Sequence, residues 1–468
     1  MASRLRAIAI VLLSIGCGQA AGSDGSADSS VEAGASDGAS SDSPAGLDAV
    51  GSDSPVTMDV PTDAGAGDAP TFDVVRPDAP IGACPAATLA ARLGRTRLMV
   101  GGSMDDPPFR MAPFDIRYRY LSGDVPAPGP CASCLSCTIR GQNCLNSGPG
   151  CSWWGCWQWD MAPPGRYVAD FVTSTMTARA IPMISYYVWY SVAGDVEGMP
   201  EVMALRDGAR VTRYLADWRF VCRTIAAATT GPVILHLEPD LWGYGEQISA
   251  DPSTIPVSVS AAGLAECAGM PDTLVGFARC MTRIARVNAP SALVGFHASA
   301  WGAGDDAIYT TRAGFDVDAH AMRTAAYMRA LGATDGDLVV IELSDRDSGF
   351  NMRWLDETNR AQPTFTRALQ WARTLGTAMN LPTLYWQLPY GHRGLENRCN
   401  RYEDNRVAYI FDHPDEFARA GAIGVAFGAG ATCQTTPSTD DGYFVRRAMG
   451  YFGTPATRPC LCGAASCM

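Results

Sequence analysis

The chain has 468 residues, 47% of them hydrophobic, and a formal charge of −12. Its 36 basic residues are all arginine, which excludes Schiff-base catalysis, a pyridoxal-phosphate anchor and a Walker-type phosphate loop, since each needs a lysine. No basic run marks a nucleic-acid surface, and nothing in the sequence calls for a cofactor.

Arg4 and Arg6, followed by the apolar stretch Ala7–Leu13, form an export signal too short to span a bilayer. Ser14-Ile-Gly-Cys17 then resembles a bacterial lipobox, with Ser14 where leucine is usual. Residues 1–17 are therefore expected to be a lipoprotein signal, with Cys17 carrying the lipid that holds the chain at the outer membrane or cell surface. Secretion without a lipid is the alternative. Residues 18–82 hold eleven Asp and Glu32 against Arg76, a net of −11. With +2 from residues 1–17, only −3 of the −12 belongs to 83–468. Such an Ala, Gly, Ser, Asp and Pro composition cannot bury enough surface to fold. It reads as a disordered linker reaching about 45 Å as a coil.

Residues 83–468 are expected to form one domain. Six of the 16 cysteines cluster at Cys131, Cys134, Cys137, Cys144, Cys151 and Cys156, in an insertion spanning about 124–160. In an exported chain such a cluster reads as disulfides, with metal ligation as the alternative. A bridge from Cys84 to the terminal group Cys460, Cys462 and Cys467 would tie the chain ends together. The same insertion carries Trp153, Trp154, Trp157 and Trp159, a possible sugar platform.

Strands are expected at Phe114–Tyr120, Ile181–Tyr190, Val233–Glu238, Leu293–Ala298, Leu338–Leu343, Thr383–Leu388 and Ile423–Phe427, with Arg97–Gly101 as an eighth candidate. Helices are expected at Glu201–Ala228, Thr273–Val287, Ala319–Leu331, Thr364–Met379 and Arg406–Ala420. Strands alternating with helices imply a parallel sheet, and seven or eight such units imply a closed (β/α) TIM-type barrel. A doubly wound open sheet is the runner-up, but no glycine-rich dinucleotide fingerprint follows the first strand.

In such a barrel the C-terminal strand ends build the site. Here they carry Tyr187 and Trp189; Glu238, Asp240 and Trp242; His297 and Trp301; Glu342, Asp345 and Asp347; and Trp386 and Gln387. Pro239 is expected to stop its strand and hold Glu238 extended, on one face with His236. Arg117 and Arg119 share a face with Asp115. Acids, amides and flat aromatics at one lip suit a sugar, which shows apolar C–H faces between its hydroxyls. The bland reading is that these acids only pair with Arg117 or Arg119 in the interior.

Two segments resemble the family-six cellulases: Leu237-Glu-Pro-Asp-Leu241 and Ser344-Asp-Arg-Asp347. The resemblance implies a glycoside hydrolase in which Asp347 occupies the general-acid position. Two departures stand out: here the Asp-Arg-Asp segment follows Glu-Pro-Asp instead of preceding it, and Ser348 stands where that family has cysteine. Barrel glycosidases of the large Asn-Glu type place a second Glu at the seventh strand, where this chain has Gln387, and no Asn precedes Glu238.

The sequence thus points to hydrolysis of a glycosidic bond in an extracellular polysaccharide by two carboxyl groups. Glu238 is the expected general acid, Asp347 or Asp345 its partner, and Glu342 a further candidate. Asp240, Trp242, His297, Trp301, Gln387, Trp386, Trp189, Tyr187, Trp153 and Arg117 are the expected substrate contacts. The alternatives are a non-catalytic carbohydrate-binding surface lipoprotein and a structural envelope protein. Two carboxyls at the lip within about 5–10 Å of one another, open to a cleft, would favour the enzyme.

Overall fold

The computed structural model describes residues 84–122, 125, 165–430, 433–455 and 458–462. Cys17, the acidic linker, Trp153 and the cluster Cys131–Cys156 lie outside them. Eight strands close into one parallel barrel in chain order: β1 Met99–Gly102, β2 Ile116–Ser122, β3 Ile181–Tyr187, β4 Ile234–Leu237, β5 Leu293–His297, β6 Leu338–Ile341, β7 Thr383–Leu388 and β8 Ala422–Phe427. The (β/α) barrel is the expected fold. Closure is made by β1 against β8, with Met99 beside Gly424 and Gly102 beside Phe427.

Helices α1 Arg166–Thr177, α2 Gly208–Ala228, α3 Leu274–Asn288, α4 Val317–Leu331, α5 Phe365–Met379, α6 Arg406–Asp412 and α7 Tyr443–Gly453 lie in the connections and after β8. Each of the long ones covers the sheet with an apolar stripe. In α3, Leu274, Phe277, Ala278, Met281, Ile284 and Ala285 recur at helical spacing and are buried, the larger ones contributing about 1.5–3 kcal/mol apiece. Thr273 caps α3 by accepting from Gly276 N, and Thr364 caps α5 by accepting from Arg367 N.

Local chemistry moves several expected boundaries. The expected helix Glu201–Ala228 breaks at Asp207, whose side chain accepts from Ala209 N and Arg210 N and so starts α2 afresh. The expected helix Arg406–Ala420 breaks at His413, because Pro414 has no N–H to continue the ladder and opens a new short helix, Pro414–Arg419. Strand β3 stops at Tyr187, and Trp189–Ala193 turns into a helix.

Cys84 is bonded to Cys462, joining the two ends of the domain, and Cys267–Cys280 and Cys399–Cys433 staple the loop before α3 and the loops after β7 and β8. Among the described residues the one free cysteine, Cys222, is buried in α2. No described helix is long and apolar enough to cross a membrane.

Candidate active site at the barrel mouth

Side chains alternate in and out along each strand. Outward go Arg117, Tyr186, Phe296 and Tyr385, which meet Phe171 of α1, Asp217 of α2, Trp242, and Phe417 respectively. Inward go Tyr118 and Tyr120 of β2, Ser185 of β3, His236 of β4, His297 of β5 and Trp386 of β7. The Trp386 ring is the centre of this floor, with centroids 4.6 Å from His236, 5.6 Å from His297, 5.5 Å from Tyr120 and 6.1 Å from Tyr118. One residue on, Gln387 takes a left-handed backbone at φ 55° and accepts a 2.5 Å bond from Tyr120 OH.

Above the floor the strand ends bring acids together. Glu342 follows β6 two residues after Val340, the ladder partner of His297. It is half-buried, and its Oε1 accepts from Trp301 Nε1 at 3.3 Å. Asp240 follows β4 and is also half-buried. Burial raises the Asp240 carboxyl to about 7, helped by the charges of Glu197 and Asp345 and opposed by Tyr187 and Arg346. Burial raises Glu342 to about 8, with the charges of Asp345 and Asp240 adding to the shift. The negative charge of Asp240 thus disfavours ionisation of Glu342 and helps it keep its proton near neutral pH. Asp345 completes the group, paired to Arg346. Tyr244 packs tilted against Trp301 with centroids 4.9 Å apart and donates to Glu197 at 3.4 Å.

Other expected site residues are placed elsewhere. Glu238 is not extended: its φ is +38°, and the in–out alternation ends there. Its side chain turns away from His236 into the layer between sheet and helices. There Oε1 accepts from Val188 N at 3.2 Å, Trp189 N at 3.0 Å and the Tyr214 hydroxyl of α2 at 2.6 Å. It is fully buried, and burial raises its carboxyl to about 8. Glu238 holds the turn after β3 and does not open to the mouth.

Asp347 is fully buried as well. It accepts from Gly391 N at 3.0 Å and Thr435 N at 2.8 Å, tying the loops after β6, β7 and β8 to one another. Trp242 and Trp189 belong to the same outer layer as Glu238. Trp242 Nε1 donates to Leu237 O at 2.9 Å, and Trp189 Nε1 donates to Glu201 O at 3.0 Å. Arg117 stacks on Phe109 at 4.5 Å and pairs with Asp106 at 2.8 Å, outside the barrel. Its pairing with Glu238 or Glu342 does not form, and Arg119 pairs with Asp105. The hollow beside Trp354, Glu357 and Arg393 is formed by the loops after β6 and β7 and shares no residue with this mouth.

The residues missed from sequence are Tyr118, Tyr120, Ser185, His236, Tyr244, Glu197 and Arg346. The β2 pattern carried the signal for the first two. Asp105-Asp106 supplies two carboxylates for Arg117 and Arg119 on one face, which leaves the tyrosine face for the interior.

The fold and the mouth define a (β/α) barrel with a group of acids at the strand ends beside an aromatic floor. The sequence matches no protein-family profile and no curated relative. Solved structures superpose on the chain at low similarity. An endo-beta-1,4-mannanase from Cellulomonas fimi superposes with a TM-score of 0.41 at 12% identity, over 82% of this chain and 79% of its own. The GH53 catalytic domain of Ignisphaera aggregans gives 0.40 at 10%, over 78% and 92%. The endoglucanase CEL6B from Humicola insolens gives 0.30 at 13%, over 51% and 64%. The functional assignment rests on the site's own geometry.

Proposed function

We propose that the barrel mouth hydrolyses a glycosidic bond in an extracellular polysaccharide, with Glu342 as general acid and Asp240 as the ionised carboxylate. The observation that carries this is a pair of half-buried carboxyls at the ends of β4 and β6, the charge of Asp240 acting on Glu342, with the Trp301 indole on Glu342 and Tyr244 packed beside Trp301. The two strands are separated only by β5, so their backbones are about 9–10 Å apart. Roles follow from the surroundings. The Tyr187 hydroxyl and the charge of Arg346 lie near enough to Asp240 to favour its ionised form. Glu342 receives only the Trp301 indole N–H among these donors and keeps the proton. On cleavage, that proton passes to the leaving glycosidic oxygen as its bond to the anomeric carbon breaks. Asp240 either takes a proton from the attacking water or forms the bond to carbon itself. His297 and Gln387 are read as hydroxyl contacts. Cys17 is read as the lipid anchor that holds this domain outside the cell, at the end of the acidic tether.

The test is a polysaccharide panel assayed for reducing ends. Wild type should cleave at least one member, and Glu342→Gln and Asp240→Asn should each lose about 10²–10⁴-fold, the usual worth of an acid–base group, while still being retained by that polysaccharide. Retention with no release by the wild type would make the protein a glycan-binding surface module. Neither retention nor release would end the carbohydrate reading.

A further inference from the structure

The floor of the mouth holds a hydrogen-bonded row that the acid pair does not use. Ser185, His236 and His297 lie on β3, β4 and β5, with Ser185 paired to His236 in the ladder and His297 two residues beyond Gly295, the ladder partner of His236, and all three are fully buried. Ser185 Oγ is 3.1 Å from His236 Nδ1, and His236 Nε2 is 3.1 Å from His297 Nδ1. The row ends at His297 Nε2, which has no partner. Trp386 Nε1 has none either, and its ring centroid is 5.6 Å from that of His297. Burial keeps both imidazoles neutral, holding His236 well below its usual range and His297 at about 3.

Two neutral proton arrangements fit these distances. In the first, the Ser185 hydroxyl donates to His236 Nδ1, His236 Nε2–H donates to His297 Nδ1, and His297 carries its own proton on Nε2. In the second, every bond runs backwards, and the serine proton has no acceptor, because Ser185 makes no other side-chain hydrogen bond among the described residues. The first arrangement leaves one buried group unpartnered, the second two. A stranded buried donor is costly enough to favour the first by about tenfold or more.

We propose that Ser185 and His236 are positioning residues that fix His297 as an Nε2–H donor, so that His297 and Trp386 offer two neutral N–H groups to acceptor oxygens of a ligand in the mouth. Such a pair suits the hydroxyl, ring or carbonyl oxygens of a sugar and offers nothing to an ammonium group. The tautomer half is independent of the chemistry at Glu342 and Asp240; the ligand half rests on the carbohydrate reading above.

Two-bond proton–nitrogen correlation spectra of the full chain, with ¹⁵N-labelled histidine, read the tautomers directly at pH 7. Wild type should show His236 and His297 both protonated on Nε2. Ser185→Ala should erase that preference, so that the Nδ1-protonated form becomes visible in both rings, and Ser185→Thr, which restores a hydroxyl, should return the wild-type pattern. An Nδ1-protonated His297 in wild type, or unchanged tautomers in a folded Ser185→Ala, overturns the assignment. For the ligand half, cellohexaose and mannohexaose are added to Glu342→Gln. Movement of the His297 and Trp386 N–H resonances with either sugar is the expected result, and no movement with both overturns it. Release of reducing ends by the wild type judges the glycosidase reading separately.

Discussion

Glu238→Gln separates a loop anchor from a catalytic acid. Oε1 of Glu238 takes three hydrogen bonds, from Val188 N, Trp189 N and the Tyr214 hydroxyl, while Oε2 is buried with no partner. A glutamine can keep all three bonds on its own oxygen and put its amide where the protonated acid has its O–H. The variant therefore imitates the neutral form permanently. The folded carboxyl titrates at about 8, raised by burial from an ordinary 4.5. Between those values the folded chain holds a proton that the unfolded chain has released. Its stabilising contribution is complete below about 4.5 and is lost as pH rises through about 8. Each pH unit in that window costs the wild type about 1.4 kcal/mol for one proton. Relative to wild type, Glu238→Gln should therefore gain about 2–4 kcal/mol from pH 5 to pH 8. The other raised carboxyls contribute equally to both proteins and cancel in the difference. Denaturant unfolding at pH 5, 6, 7 and 8 gives the two curves, and a reducing-end assay on any cleaved polysaccharide gives activity, which should be retained. Parallel stability curves would refute the linkage. Loss of activity by a factor of a hundred or more in a folded variant would return Glu238 to the reaction.

The two acids set the pH profile: with Asp240 near 7 and Glu342 near 8, kcat/KM should rise as pH approaches about 7 and fall beyond about 8, since Asp240 must be ionised and Glu342 protonated. A maximum near pH 5 would break the assignment. Asp347→Asn leaves one acceptor oxygen for the two backbone donors Gly391 N and Thr435 N. Thermal or urea unfolding should show a loss of about 1–3 kcal/mol, and unchanged stability would mean that the three loops are held by other contacts. Cys17→Ala should move the protein from the membrane fraction to the soluble fraction, and continued membrane association would remove the lipid anchor.

The strands and helices of this barrel are local facts of the sequence. Val233–Leu237 and Leu338–Ile341 are apolar runs of strand length, and α3 and α5 carry threonine caps and apolar residues at helical spacing. Their alternation is enough to specify a parallel closed sheet, and it places Asp240, Glu342, Asp345, Trp301 and Trp386 at or beside strand ends. The direction of each side chain at a strand end is another matter. It depends on a single dihedral after the regular ladder stops, as the positive φ of Glu238 shows by sending that carboxylate into the helix layer while His236, two residues earlier, faces the interior. Arg117 was likewise decided by a distant partner, since Asp106 and Phe109 hold it outside and leave the interior to Tyr118. The charge of Asp240 acts on Glu342 only because β5 pairs with both β4 and β6 and so brings their ends together. Periodicity is written within a few residues of chain, whereas a raised carboxyl requires burial and a second charge brought to it in space by the fold.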